Sequence, residues 1–351
     1  MKRIAVIPGD GVGVEVAREG VKVLSALSKA RNLGLEFAHF DYGAERYLKD
    51  GTTLPDSQLE EFKKSYDAIY LGAVGDPRIP DNAHAKDILL GMRFKLDLYI
   101  NYRPCRLLDV KLCPLKNKRR EDVNFVVFRE NTEGSYAGIG GFFKKGTVDE
   151  ISTCEEINTY KGVERIIRAA FEYARDHGLR KVCLADKANA MPAHDLYRRV
   201  LKQVAPQFPG IEGTAMYADA LAMVMVQKPE AFQVIVANNL FGDLLTDLGS
   251  ALVGGLGIAP SANINPGKIA MFEPVHGSAP DIAGKGLANP VAMVLTGALM
   301  LEYLGFPAEA KLLDAAVEES VAAGRTTRDL GGALSTSEAG DELTRRVLEK
   351  V

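Results

Sequence analysis

Six short runs of aliphatic and β-branched residues recur along the chain, and this rhythm constrains the fold more than any other feature. They are IAVIP from Ile4, LEFAHF from Leu35, DAIYLGA from Asp67, VNFVVF from Val123, KVCLAD from Lys181 and FQVIVA from Phe232. Several are apolar on both faces, as strands covered on two sides are. Helical spacing fills the gaps: Val14, Ala17, Val21 and Leu24 recur at one period, as do Val163, Ile166, Ile167 and Ala170 before a stop at His177-Gly178. Strand–helix alternation of this kind predicts an α/β fold with a largely parallel sheet. The stretch from about 138 to 154 is glycine-rich and then β-rich, and reads as a protruding hairpin or arm. VAMVLTGALML, from Val291, is about half a membrane span and reads as a buried helix. There is no repeat, low-complexity tract or long linker, so the domains are expected to be interwoven.

A length of 351 residues fits two domains, or one large unit with an insertion, and 47% hydrophobic content can fill the core. A net charge of -3 with interleaved signs argues against nucleic acid or a membrane surface as partner. Cys105, Cys113, Cys154 and Cys183 form no C-x-x-C, which suggests reduced thiols in a cytoplasmic protein and no zinc site. The N-terminal run begins a strand almost at once, which predicts no signal or transit peptide.

The opening IPGDGVGVEV resembles a dinucleotide turn but has the wrong spacing. G-x-G-x-x-G would need glycine at position 14, where Val14 stands, and Asp10 would repel a pyrophosphate. A tight strand-to-helix turn is the better reading.

Four stretches can carry chemistry. In NNLFGDLLTDLGSALVGGLG, Asp243 and Asp247 project from one helix face. Like charges at that spacing repel, and Mg²⁺ or Mn²⁺ would relieve them; a solvated helix face is the alternative. HGSAPDIAGKGLANP combines glycines, small residues and prolines, a backbone able to approach a phosphate. Arg93, Arg103 and Arg129 could together hold a di- or tricarboxylic acid, although each alone is ordinarily a surface ion pair. Lys187 and Asn189 follow a strand, where α/β sheets usually place their sites.

RENTEG, ADKAN, the Asp243–Asp247 stretch and HGSAPDIAGKGLANP, in that order over essentially the whole chain, resemble the β-decarboxylating dehydrogenases of 2-hydroxy acids, the isocitrate/isopropylmalate dehydrogenase family. The resemblance implies an isopropylmalate/isocitrate dehydrogenase-like α/β fold, two domains sharing a large mixed sheet and not a Rossmann fold. Residues 1–102 and 255–351 would form the cofactor domain. Residues 103–254 would bind substrate and metal and dimerise. His276, Gly277, Ser278, Ala279, Asp281, Ile282 and Asn289 would bind the cofactor. Lys187 and Asp219 would serve the active site of the partner copy in a homodimer, where Asp219 joins Asp243 and Asp247 around Mg²⁺ or Mn²⁺. By the same resemblance Lys187 accepts the hydroxyl proton and Tyr136 protonates the carbon left after CO₂ departs. A carboxylate at Asp281 favours the NAD ribose over an NADP phosphate.

Leu89 and Leu90 resemble the leucine pair that receives an isopropyl group, and an apolar wall rejects a carboxylate strongly. The acid expected is therefore 3-isopropylmalate, oxidised to 2-oxoisocaproate for leucine biosynthesis. Lys86, RENTEG and GAVGDPRIPD keep isocitrate, homoisocitrate, tartrate and D-malate as alternatives. A non-catalytic regulatory subunit is the alternative of another class; it would be expected to lose tyrosine, lysine or aspartates that are present here.

Overall fold

The computed structural model describes residues 1–351. In chain order the first stretch holds β1 (Lys2–Gly9), α1 (Val12–Arg31), β2 (Leu35–His39), α2 (Ala44–Asp50), α3 (Asp56–Ser65), β3 (Ala68–Ala73), α4 (Ala83–Ala85) and α5 (Gly91–Lys95). The middle holds β4 (Ile100–Arg106), β5 (Asn124–Glu130), β6 (Gly140–Phe143), β7 (Ile151–Cys154), α6 (Tyr160–Asp176), β8 (Lys181–Asp186), α7 (Asp195–Val204), β9 (Glu212–Tyr217), α8 (Ala218–Gln227), β10 (Val234–Ala237) and α9 (Asn239–Val253). The last stretch holds β11 (Pro260–Ile264), β12 (Ala270–Pro274), α10 (Val291–Tyr303), α11 (Pro307–Ala322) and α12 (Thr336–Leu348). All six quoted runs form strands.

Two compact units result. The first comprises Met1–Leu98, Arg106–Arg120 and Ser250–Val351; the second comprises Tyr99–Cys105 and Glu121–Gly249. In the first, β2, β1, β3 and β12 run parallel and β11 pairs antiparallel to β12. Every residue of β3 is buried, as a central parallel strand requires. Ile7, Leu59, Phe62, Leu71, Ile88 and Met92 gather in one core cluster, each worth roughly 1.5–3 kcal/mol of burial. Helix α10 is buried on nearly all sides, which its apolar run allows.

The stripe expected on α1 is buried at Ala17 and Leu24 and half-buried at Val21, but Val14 is 49% exposed. Val16, Val23 and Leu27, outside that stripe, are buried as well. Gly13 and Gly20 widen the buried face, because they let the helix backbone settle against Ala73 and the Tyr70 hydroxyl.

In the second unit the order is β4, β5, β10, β8, β9, with β5, β10, β8 and β9 parallel. Ala237 lies opposite both Arg129 and Ala185, and Asp186 lies opposite Tyr217. This register brings Arg129, Lys187, Asp219 and the start of α9 to one carboxyl-terminal sheet edge, where parallel sheets carry their ligands. Strands β6 and β7 form a separate antiparallel hairpin with every residue exposed.

Candidate active site

The glycines of the GDGVG turn serve backbone contacts. Gly9, at φ +72°, and Gly13 pack directly on Ala73, and Gly11, at φ +55°, packs on the Ser278 carbonyl; a Cβ at any of them would overlap backbone. The Val12 N–H donates to that Ser278 carbonyl at 2.8 Å. The turn therefore supports the 276–289 loop from behind. Glu15, on the first turn of α1, accepts the Gly284 N–H and fixes the far end of the same loop.

That loop has the character of a cradle. Ala279 is held at φ +38°, and Gly284 and Gly286 at +73° and +66°. His276 Nδ1 is 3.0 Å from the Gly277 carbonyl, while its Nε2 is buried without a hydrogen-bond partner. Burial pushes the His276 imidazole below its ordinary value, favouring the neutral ring. An orphaned ring nitrogen here suits a polar ligand. Gly277 and Asp281 are exposed, Ser278 is buried and Ile282 half-buried. Asn289 is occupied internally: its Oδ1 accepts the Val291 N–H at 3.0 Å and its Nδ2 donates to Asp329 at 2.9 Å.

Between α4 and α5, Lys86–Leu90 forms a π-turn, a geometry frequent at functional sites. Leu89 packs against the first unit's core and Leu90 is half-buried, while Lys86 is exposed. Arg93 is buried on α5, and its Nη2 donates to Glu273 at 2.7 Å. Its Nε is buried without a partner, a donor available to a carboxylate.

In the second unit a polar cluster forms on α9. Arg103 Nη1 donates to Asp243 Oδ1 at 3.1 Å and to Thr246 at 2.7 Å. Arg129 also pairs with Asp243 Oδ1, its Nε and Nη2 donate to Asn239, and the Tyr136 hydroxyl donates to Asp243 Oδ2 at 2.9 Å. One turn on, Asp247 makes no hydrogen bond or ion pair within the chain. Partial desolvation first, then the like charge of Asp243, raise its carboxyl above the usual range. Two carboxylates on adjacent turns, one lacking a partner, suit a hard divalent cation.

Lys187 and Asp219 face each other at 2.6 Å, and this hydrogen bond lowers the Asp219 carboxyl. Within one chain Asp219 does not join Asp243 and Asp247, and no group of three or more acidic, His or Cys side chains forms a metal-binding set. Asn189 is exposed in the turn after Lys187. In RENTEG the two carboxylates are structural: Glu130 is buried and accepts the Thr132 and Glu133 N–H groups, and Glu133 accepts the Thr159 N–H at 2.8 Å ahead of α6. Sequence reasoning missed Asn239, Thr246, Glu273 and Glu15, which hold the expected residues. Only the Asn238-Asn239 doublet carried a signal, as a polar interruption before α9.

The loop thus offers an unpartnered imidazole nitrogen, and the α9 cluster offers carboxylates beside guanidinium groups, donor types that suit a polar cofactor and an acid bound with a cation. The comparisons with known proteins agree. The model of the isocitrate/isopropylmalate dehydrogenase family matches residues 3–343, and the chain belongs to that family. It is 45% identical over 351 residues to a 3-isopropylmalate dehydrogenase of Thermobifida fusca, covering 99% of this chain and 98% of the relative. It is 44% identical over 350 residues to a tartrate dehydrogenase/decarboxylase of Pseudomonas putida, covering 96% and 95%. The crystal structure of isocitrate dehydrogenase from Methylococcus capsulatus superposes with a TM-score of 0.89 at 38% identity, covering 99% of each chain. The fold is accordingly that of the isocitrate/isopropylmalate dehydrogenases. No helix is long and apolar enough to cross a membrane.

Proposed function

We propose that this chain catalyses the NAD-dependent oxidative decarboxylation of 3-isopropylmalate to 2-oxoisocaproate, with Mg²⁺ or Mn²⁺, as a cytoplasmic enzyme of leucine biosynthesis. The observation that carries the proposal is the α9 pair Asp243–Asp247 with Arg103, Arg129 and Tyr136 gathered on Asp243. Asp243 and Asp247 would hold the cation, with Asp219 of a second copy as third ligand. The 276–289 loop would hold NAD, its orphaned His276 nitrogen and exposed Asp281 facing polar groups of the cofactor. When bound, the cation supplies Lewis acidity and NAD a hydride acceptor.

The chain's own residues supply the rest. Arg103 and Arg129 hold carboxylates of the acid, Arg93 adds its free Nε, and Asn189 lies beside the base. Lys187, contributed like Asp219 by the second copy, accepts the proton of the hydroxyl as hydride leaves the same carbon. After CO₂ is lost, the Tyr136 O–H delivers a proton to the carbon it leaves behind. A homodimer is supported by exposed Met223 and Val226 on α8, Leu244 on α9, and Phe142 and Phe143 on the hairpin.

A second reading, oxidation of a more polar diacid such as tartrate or D-malate, is favoured by exposed Lys86 and by the tartrate dehydrogenase relative. The deciding experiment compares kcat/KM for 3-isopropylmalate, isocitrate, homoisocitrate, tartrate and D-malate with NAD and with NADP. A preference for 3-isopropylmalate by about tenfold or more supports the first reading. Preference for any other acid overturns it.

A further inference from the structure

The turn that carries Lys187 is braced by a side chain to which the acid, cation and cofactor assignments give no role. His194 is fully buried in the turn Pro192–His194. Its Nδ1 accepts the Lys187 backbone N–H at 3.0 Å, and its Nε2 lies 2.6 Å from Glu156 Oε1. A neutral imidazole that accepts at one nitrogen donates at the other, so the Nε2–H is directed to Glu156. Glu156 Oε1 also accepts from Asn158 at 3.0 Å and from Asn238 at 2.9 Å. Burial pushes this carboxyl up, but the hydrogen bonds from His194, Asn158 and Asn238 prevail and hold it down to about 2. It therefore stays an acceptor and fixes the histidine tautomer.

The brace continues into α9. Asn238 Oδ1 accepts the Phe241 N–H at 2.9 Å, and the Phe241 ring meets the His194 ring edge-on with centroids 5.4 Å apart. One buried imidazole thus connects the backbone of Lys187 to the start of the helix bearing Asp243 and Asp247. The turn itself closes without it, because the Ala190 and Met191 N–H groups already donate to the Lys187 carbonyl at 2.9 and 2.8 Å. What His194 adds is the orientation of the peptide plane preceding the Lys187 side chain.

We propose that His194 is a positioning residue for Lys187, its Nδ1 acceptor aiming the lysine for proton transfer while Glu156 holds the ring in the required tautomer. This rests on the reading of Lys187 as the base. A long side chain amplifies a small backbone rotation, and proton transfer is sensitive to displacements well under 1 Å.

The test compares H194N, H194Q, K187A and K187A/H194Q with 3-isopropylmalate, NAD and Mn²⁺, alongside urea unfolding of each. Asn places an oxygen near the Nδ1 position, whereas Gln reaches towards Glu156 and leaves the Lys187 N–H without its acceptor. The expected result is a loss of kcat of about 10- to 100-fold in H194Q with little change in the KM for the acid. H194N should recover most of that loss, and K187A/H194Q should be no slower than K187A. Equal impairment of folded H194N and H194Q, a loss confined to KM, or losses that multiply in the double variant would each overturn the proposal. Should H194Q fail to fold, a folded H194N as slow as K187A overturns it equally well. Full turnover by K187A would instead remove the base assignment itself, a separate outcome.

Discussion

His84 Nε2 lies 2.8 Å from Asp10 Oδ2, and both side chains are buried, joining the GDGVG turn to the segment that leads into Leu89, Leu90 and Arg93. Asp10 also accepts the Ala44 N–H at 2.5 Å and the Gly75 N–H at 2.8 Å, so one carboxylate ties together four chain segments. The charge that argued against a pyrophosphate at this turn is spent on internal hydrogen bonds. Replacing His84 by Ala leaves a buried carboxylate short of a donor and opens a cavity. A loss of about 3 kcal/mol in urea unfolding is expected for H84A, with H84Q recovering part of it by placing an amide N–H near the Nε2 position.

Gly11→Ala acts on the cradle. A Cβ at φ +55° is strained and meets the Ser278 carbonyl, so the loop must shift. Dissociation of NAD, followed by nicotinamide fluorescence of NADH in competition, should weaken about tenfold, equivalent to about 1.4 kcal/mol. Unchanged NAD affinity would mean that the loop does not contact the cofactor.

Asp247→Asn removes the carboxylate that has no partner in the chain. The concentration of Mn²⁺ giving half-maximal activity should rise at least about tenfold, and the stabilisation of the protein against heat by Mn²⁺ should shrink. Because Asp247 is exposed, the unfolding midpoint without metal should move little.

Acid should loosen the second unit through Glu156. Its folded-state value, about 2, lies below that of an unfolded glutamate, so its contribution is complete above about pH 4.5 and is lost as pH falls towards 2. Allowing for solvent screening of its partly exposed carboxyl, the contribution is about 1–2 kcal/mol. Urea midpoints measured from pH 6 to pH 3 should therefore fall less steeply in E156Q than in the unaltered protein.

Much of this architecture was legible in the letters, and what escaped did so for physical reasons. The six aliphatic runs form strands because continuous burial needs continuous apolar sequence. Strands β9, β11 and β12 escaped: EGTAMY alternates weakly, and PSANI buries Ser261 and Asn263, tolerable only because Asn263 donates to Glu273, itself paired with Arg93. No local pattern announces a bond across 180 residues. The α1 stripe was legible at Ala17 and Leu24, but the close contacts at Gly13 and Gly20 were not, because glycine carries no apolar signal. Asp243, Asp247 and Tyr136 stood out by spacing and motif. The arginine partners of Asp243 are set by strand register, which a single sequence leaves open.

The β6–β7 hairpin has a last consequence. A lone two-stranded ribbon with every side chain in water is marginal at best, and its outer edges still offer unpaired backbone groups. In the proposed homodimer its order would come from the second copy docked upon it. Diluting the protein should therefore expose the Lys144-Lys145 tip to trypsin before any other part of the chain is cut, so the rate of that first nick would serve as a gauge of assembly.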